Sequence, residues 1–169
     1  MNSIKKCSIE DTNKVESVLL ETWLAKTKKE ANETFVDEMS KWDDYFLMED
    51  DWKPIWIVSG KIEWRPRHGI YELYHIGAIT EARWKWVAKE LFDVLVNHAK
   101  ELFKNQWSHL RKFYLKTGEQ NAWAHKFYEK MNMVNIDTLT SHFAKWRAEL
   151  IYHLFFDEDG NDITKNTQD

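Results

Sequence analysis

The chain has 169 residues, 43% hydrophobic and 31% charged, with a formal charge of −4 at pH 7. That length fits one domain with a core of its own, an aromatic share of 15% excludes disorder for most of the chain, and no run approaches the ~20 apolar residues of a membrane helix. The start, Met1-Asn2-Ser3-Ile4-Lys5-Lys6, has no apolar run behind it, so no signal peptide is expected, and a single cysteine, Cys7, suits a reducing cytoplasm.

The negative balance disfavours a dedicated nucleic-acid binder, which is usually strongly basic. Two counts are unusual: ten tryptophans and only five glycines.

Ile4 to Cys7 is a short strand candidate. Ser8 followed by Glu10 and Asp11 reads as an N-cap with acids in the first turn. Val15, Val18, Leu19 and Trp23 continue at helical spacing, which predicts a helix over Ile9 to Ala25. Lys26 to Asn32 is polar and loop-like, and Phe35, Val36, Met39 and Trp42 give a second helical stripe. Glu49-Asp50-Asp51 reads as an acidic break before Pro54. Ile55 to Val58, the turn pair Ser59-Gly60 and a returning strand over Lys61 to Arg65 would form a hairpin. Ile70 to Ile79 reads as a long central strand.

The helical period returns from Arg83, and its apolar stripe from Val87 through Leu91 and Leu95 to Phe103 runs about five turns. Phe113 to Lys116 is a strand, Asn121 to Met131 a short helix, and Val134 to Leu139 and Glu149 to Phe156 two final strands. Residues 1–156 are expected to form a single domain, and 157–169 a polar, frayed tail.

The chemistry-bearing patterns are few. The seven histidines have no His or Cys partners at ligand spacing. Asp157 to Asp162 resembles a calcium loop only in part, with its glycine misplaced and no closing glutamate. Trp64-Arg65-Pro66-Arg67 and Arg83-Trp84-Lys85-Trp86 could stack single-stranded nucleic acid, but basic side chains lying over surface indoles explain them as well. The strand over Tyr71 to Ile79 leads into a helix whose start offers free N–H groups and a positive dipole end, a site suited to an anion such as a pyrophosphate.

This strand-to-helix junction, with the later run Asn121-Ala122-Trp123-Ala124-His125-Lys126-Phe127-Tyr128-Glu129-Lys130-Met131, resembles the GNAT superfamily of acyl-CoA-dependent N-acyltransferases, over nearly the whole chain. The resemblance implies an α/β fold with a mixed sheet of about six to seven strands and about four helices. It implies acetyl-CoA as co-substrate and direct attack of an amine on the acetyl thioester. Cofactor contacts would come from the backbone of Ile76, Gly77 and Ala78, the junction Arg83, Trp84, Lys85, Trp86, Val87 and Ala88, and Asn121.

Tyr128 matches the family's acid for the leaving thiolate, or else packs helix on sheet. Glu72 matches a glutamate that orders a relay water, or else is a solvated strand carboxylate. Asn121 serves equally as an N-cap, and a bulge would explain Gly77.

The family glycines of the junction are Trp84 and Trp86 here, Trp64 also stands where glycine is common, and Asn132 falls where the family's Gly-Phe begins. The first reading is therefore a cytoplasmic N-acetyltransferase acting on a primary amine of a small molecule or protein. The second is a GNAT-fold binding or scaffold domain with an obstructed CoA site. The acidic stretch Asp43, Asp44, Glu49, Asp50 and Asp51 would suit a cationic amine, or is a solvated loop. Exposed aromatics are compatible with a homodimer.

Overall fold

The computed structural model describes residues 2–41, 43–82, 87–142 and 144–167. Seven strands and four helices make a mixed α/β fold, with strand order β1-β2-β3-β4-β5-β7-β6. The chain divides into two compact units, Met1–Lys61 with Leu73–Asn97, and Ile62–Glu72 with His98–Asp169.

In the first unit, β1 (Asn2–Lys6) pairs antiparallel with β2 (Asp44–Asp50), and β2 with β3 (Lys53–Ile62). Two expectations change here. A strand, β2, occupies the stretch read as an acidic break, and it is buried from Asp44 to Glu49. Ser59-Gly60 is not a turn but part of β3, which runs on through Ile62; the hairpin turn is Asp51-Trp52, between the paired residues Asp50 and Lys53. Tyr45, Leu47, Met48, Ile57 and Val58 form the apolar centre of this pair.

The first predicted helix is shorter than its stripe. Ser8 and Asp11 cap each other reciprocally over a 3-10 turn at Ile9–Asp11, and α1 covers Thr12–Glu21 with Val15, Val18 and Leu19 buried. It stops because Trp23 takes φ 63° and turns the chain away. α2 (Lys28–Ser40) starts earlier than expected, since the Thr27 hydroxyl accepts from Glu30 N–H at 3.1 Å. Trp42 lies outside the described residues.

β4 (Ile70–Ala78) falls where the sequence places it. α3 (Val87–Lys104) joins β4 to β5 (Lys112–Gly118), the long connection that parallel neighbours need. Leu91, Leu95, Ala99 and Phe103 are fully buried at one-turn spacing along it. The pairing of β4 with β5 runs from Ile70↔Lys112 to Glu72↔Tyr114, and each strand continues beyond its last pair.

In the second unit β5 also pairs antiparallel with β7 (Ala148–Phe155), and β7 with β6 (Val134–Thr140). α4 (Ala122–Lys130) ends in a cap in which Asn132 N–H donates to Glu129 O and Met133 N–H to Tyr128 O. Asn132, at φ 62°, takes the left-handed place that glycine or asparagine fills in such caps.

The described part of the tail is not frayed. Phe156 bridges Asp162, Ile163 N–H donates to Phe155 O at 2.9 Å, and the buried Thr164 accepts from Phe155 N–H. Among the described residues no helix is long and apolar enough to cross a membrane.

Candidate active site

The two side chains the sequence picks out for catalysis, Glu72 and Tyr128, both belong to the second unit. Glu72 is the last β4 residue to pair with β5, and its neighbour across the ladder is Tyr114. It is not a solvated carboxylate: it is buried, and its Oε1 lies 2.8 Å from Lys116 Nζ. Lys116 stands two residues beyond Tyr114 on β5, on the same face by strand alternation, and its ammonium lies 5.9 Å from the Tyr114 ring centre.

Tyr128 lies on the buried face of α4. Its ring packs 5.6 Å from that of Tyr152 and 5.5 Å from that of Phe127. Burial, with a smaller contribution from the Tyr152 phenol, holds the hydroxyl well above the usual tyrosine range. The shift reports burial and is not itself a mark of an acid, since an ordinary tyrosine also keeps its proton at neutral pH. Tyr152 pairs with Leu115, so α4 covers the Leu115 face of β5, and Glu72 with Lys116 lies on the other.

Asn121 caps α4. Its Oδ1 accepts from Ala124 N–H at 3.3 Å, so the capping role is met by the fold itself. Beside it, His125 Nε2 lies 3.0 Å from Gly118 O, tying α4 back to the end of β5.

The expected cofactor edge, Ile76, Gly77 and Ala78, closes β4 in the first unit. Gly77 has a packing reason to be glycine: a Cβ there would meet Thr22 Cβ and Cγ2 at 2.9 Å and Leu24 Cδ1 at 3.1 Å. The end of α1 thus presses on this edge, and no bulge is needed to explain the residue. Val87 and Ala88 are the first described residues of α3, and both are buried. Arg83, Trp84, Lys85 and Trp86, the heart of the expected pyrophosphate loop, lie outside the described residues.

One polar cluster escaped the sequence reading. Glu38 on α2 accepts the Tyr45 hydroxyl and lies 3.2 Å from His75 Nε2 on β4. Burial and the Glu38 charge push the Asp43 carboxyl up to about 6, and burial raises the Tyr45 hydroxyl well above its usual range. The signal was present but diffuse: three acids or rings on separate elements, with no fixed spacing. The acidic stretch turns out to be structural at two points, where Lys6 pairs with Asp44 at 2.6 Å and Lys14 with Glu49 at 2.6 Å.

Comparison with known proteins follows the same lines. Residues 13–133 match the family model of the acetyltransferase (GNAT) family. No curated protein matches the chain. Among solved structures, the chain is similar to an N-acetyltransferase from Staphylococcus aureus, with TM-score 0.71 and 20% identity over 92% of this chain and 98% of that one.

It is also similar to the ribosomal-protein-S18-alanine N-acetyltransferase of Escherichia coli, with TM-score 0.73 and 13% identity over 90% and 92%. A third is the PaiA N-acetyltransferase of Thermoplasma acidophilum in complex with coenzyme A, with TM-score 0.67 and 20% identity over 90% and 98%. These identities speak for a shared fold, while the family model covers well over half of the chain. The chain belongs to the GNAT acetyltransferase family.

Proposed function

We propose that this chain transfers an acetyl group from acetyl-CoA to a primary amine of a small molecule or protein, with residues 1–156 working as one catalytic domain in the cytoplasm. The observation that carries the reading is the place of Tyr128: it lies on the buried face of α4, at the position that matches the family's acid. In the reaction the amine nitrogen bonds to the thioester carbonyl carbon and the carbon–sulfur bond breaks. Tyr128 gives its proton to the leaving thiolate, and the amine's proton leaves through a water that Glu72 orders from the other face of the sheet, at the point where β4 and β5 cease to pair.

The residues described fit acetyl-CoA as co-substrate. β4 carries backbone groups of Ile76 to Ala78 that can pair with a pantetheine amide. The 18-residue helix α3 offers first-turn amides and a positive dipole end to a pyrophosphate. Lys116 orients the Glu72 carboxylate. Asn121 serves chiefly as the cap that fixes α4, and through it Tyr128.

A titration of acetyl-CoA followed by calorimetry tests the co-substrate. A saturable heat at one site supports it, and no heat with acetyl-CoA or CoA at millimolar concentration contradicts it. Such a blank would favour the scaffold reading.

A further inference from the structure

Half of the ten tryptophans share a backbone that tryptophan rarely adopts. Trp23, Trp52, Trp64, Trp107 and Trp146 have φ of 63, 69, 66, 56 and 67°, in the left-handed region. Their side chains are 82–100% exposed. A Cβ makes this region costly for a bulky residue, whereas glycine enters it freely.

The local hydrogen bonds show what each site asks for. After α3, Trp107 N–H donates to Lys104 O at 3.2 Å and Ser108 N–H to Phe103 O at 3.1 Å, the two bonds of a cap whose left-handed residue is usually glycine. After α1, Trp23 N–H donates to Leu20 O at 3.2 Å in the same position.

Asp51 and Trp52, at φ 47° and 69°, are the two central residues of the β2–β3 hairpin. That tight turn takes Asp-Gly or Asn-Gly because both residues need positive φ. Trp64 lies in the turn between β3 and β4, and Trp146 in the turn between β6 and β7, where its N–H bonds Ser141 Oγ at 3.2 Å.

Trp56 is the contrast. It is buried in β3, and its indole N–H donates to Ala82 O at 3.2 Å. It behaves as a tryptophan that the core requires. The chain is meanwhile short of glycine, with five in 169 residues. Tryptophan is therefore standing in the places, and in roughly the number, where glycine is missing.

We propose that the cell that makes this protein inserts glycine at positions 23, 52, 64, 107 and 146. The codon UGA supplies the ambiguity, since some genetic codes read it as tryptophan and others as glycine. A gene that spells these glycines UGA yields the tryptophan chain when UGA is read as tryptophan. Decoded the same way, positions 84 and 86 would leave the run from Arg83 to Ala88 with bare backbone at both places where indoles now flank Lys85. This inference rests on the turn backbone and stands whether or not the chain is an acetyltransferase.

The test joins the codons of the gene to peptides of the protein purified from its own cell and sequenced by mass spectrometry. UGA codons and glycine-bearing peptides are expected at the five positions, with UGG and tryptophan retained at Trp56. UGG codons, or peptides carrying tryptophan, at the five positions would overturn the proposal.

A recombinant pair checks the backbone argument separately. The combined variant Trp23→Gly, Trp52→Gly, Trp64→Gly, Trp107→Gly, Trp146→Gly should melt at a higher temperature than the tryptophan chain, and a lower melting temperature contradicts it.

Discussion

Lys116 Nζ lies 2.8 Å from Glu72 Oε1, a cation on β5 fastening a buried carboxylate on β4 at the last pair of their parallel ladder. Taking the ammonium away deprives that carboxylate of a charged partner. Lys116→Met should therefore cost about 1–3 kcal/mol of stability and lower kcat. Lys116→Arg should restore most of both. Urea unfolding and steady-state rates read the two effects, and a Lys116→Met variant as stable and active as wild type would show the pair to be incidental.

Tyr128→Phe removes one oxygen from a buried ring and leaves its contacts with Phe127 and Tyr152 in place. On the proposed role, in which the hydroxyl acts only as the thiolate leaves, kcat should fall on the order of 10²-fold while the acetyl-CoA KM changes little. An unchanged kcat, with chemistry shown to limit the rate, would make Tyr128 a packing residue.

His153 supplies a pH dependence. It is buried on β7, stacked between Tyr114 and Phe155, and neither ring nitrogen has a hydrogen-bond partner among the described residues. Burial, helped by the Lys112 cation and opposed by Asp137, lowers its pKa to about 4. The unfolded chain then binds a proton on His153 that the folded chain refuses, so stability falls as pH drops from about 6.5 towards 4, by about 2–3 kcal/mol across that window.

Asp43, raised to about 6, acts in the opposite sense, so the readout is a difference. His153→Phe should lose less stability than wild type between pH 7 and pH 4.5. Equal losses in the two proteins would remove His153 from the account.

Position 107 separates two kinds of tryptophan. Trp107→Gly relieves a left-handed bulky residue, worth about 1–2 kcal/mol, against the loose-chain entropy of glycine, about 0.5–1 kcal/mol. A small net gain in melting temperature is expected. Trp56→Ala should instead cost about 3–5 kcal/mol, since it empties a core site and strands Ala82 O. If both substitutions destabilise alike, the turn argument is wrong.

These tryptophans also explain where the sequence misled. The β2–β3 turn carries Asp51-Trp52, and with tryptophan in the second place it gives no turn signal, so the hairpin was expected eight residues later at Ser59-Gly60. β2 stayed hidden because Asp44 and Glu49 read as loop acids, and only their pairing with Lys6 and Lys14 on other elements makes them strand residues.

β4, α3, β5 and α4 were legible because their periods are clean and their ends carry ordinary signals, such as the Asn121 cap. Of the candidate site, the places of Glu72 on β4 and Tyr128 on α4 were legible from the strand and helix periods. The burial and Lys116 pairing of Glu72 depend on a contact 44 residues away in sequence, and the Glu38–His75 pair spans 37.

The tryptophans at the junction make a further prediction. With Trp84→Gly and Trp86→Gly together, CoA affinity should rise at least about tenfold, roughly 1.4 kcal/mol, because backbone amides at a helix start bind phosphate best when no side chain shields them. Calorimetry on the two chains decides it. Equal affinity at micromolar strength would mean that the indoles leave the anion's path open.

The most direct test of the central claim is release of free thiol from acetyl-CoA, measured with and without a panel of primary amines, on the chain carrying Trp84→Gly and Trp86→Gly. An acetyltransferase releases thiol in an amine-dependent manner, one acetylated amine per thiol, and Tyr128→Phe in the same background slows it. Saturable acetyl-CoA binding with no amine-dependent thiol release from any amine, small-molecule or peptide, would contradict the account and leave a GNAT fold that binds without transferring.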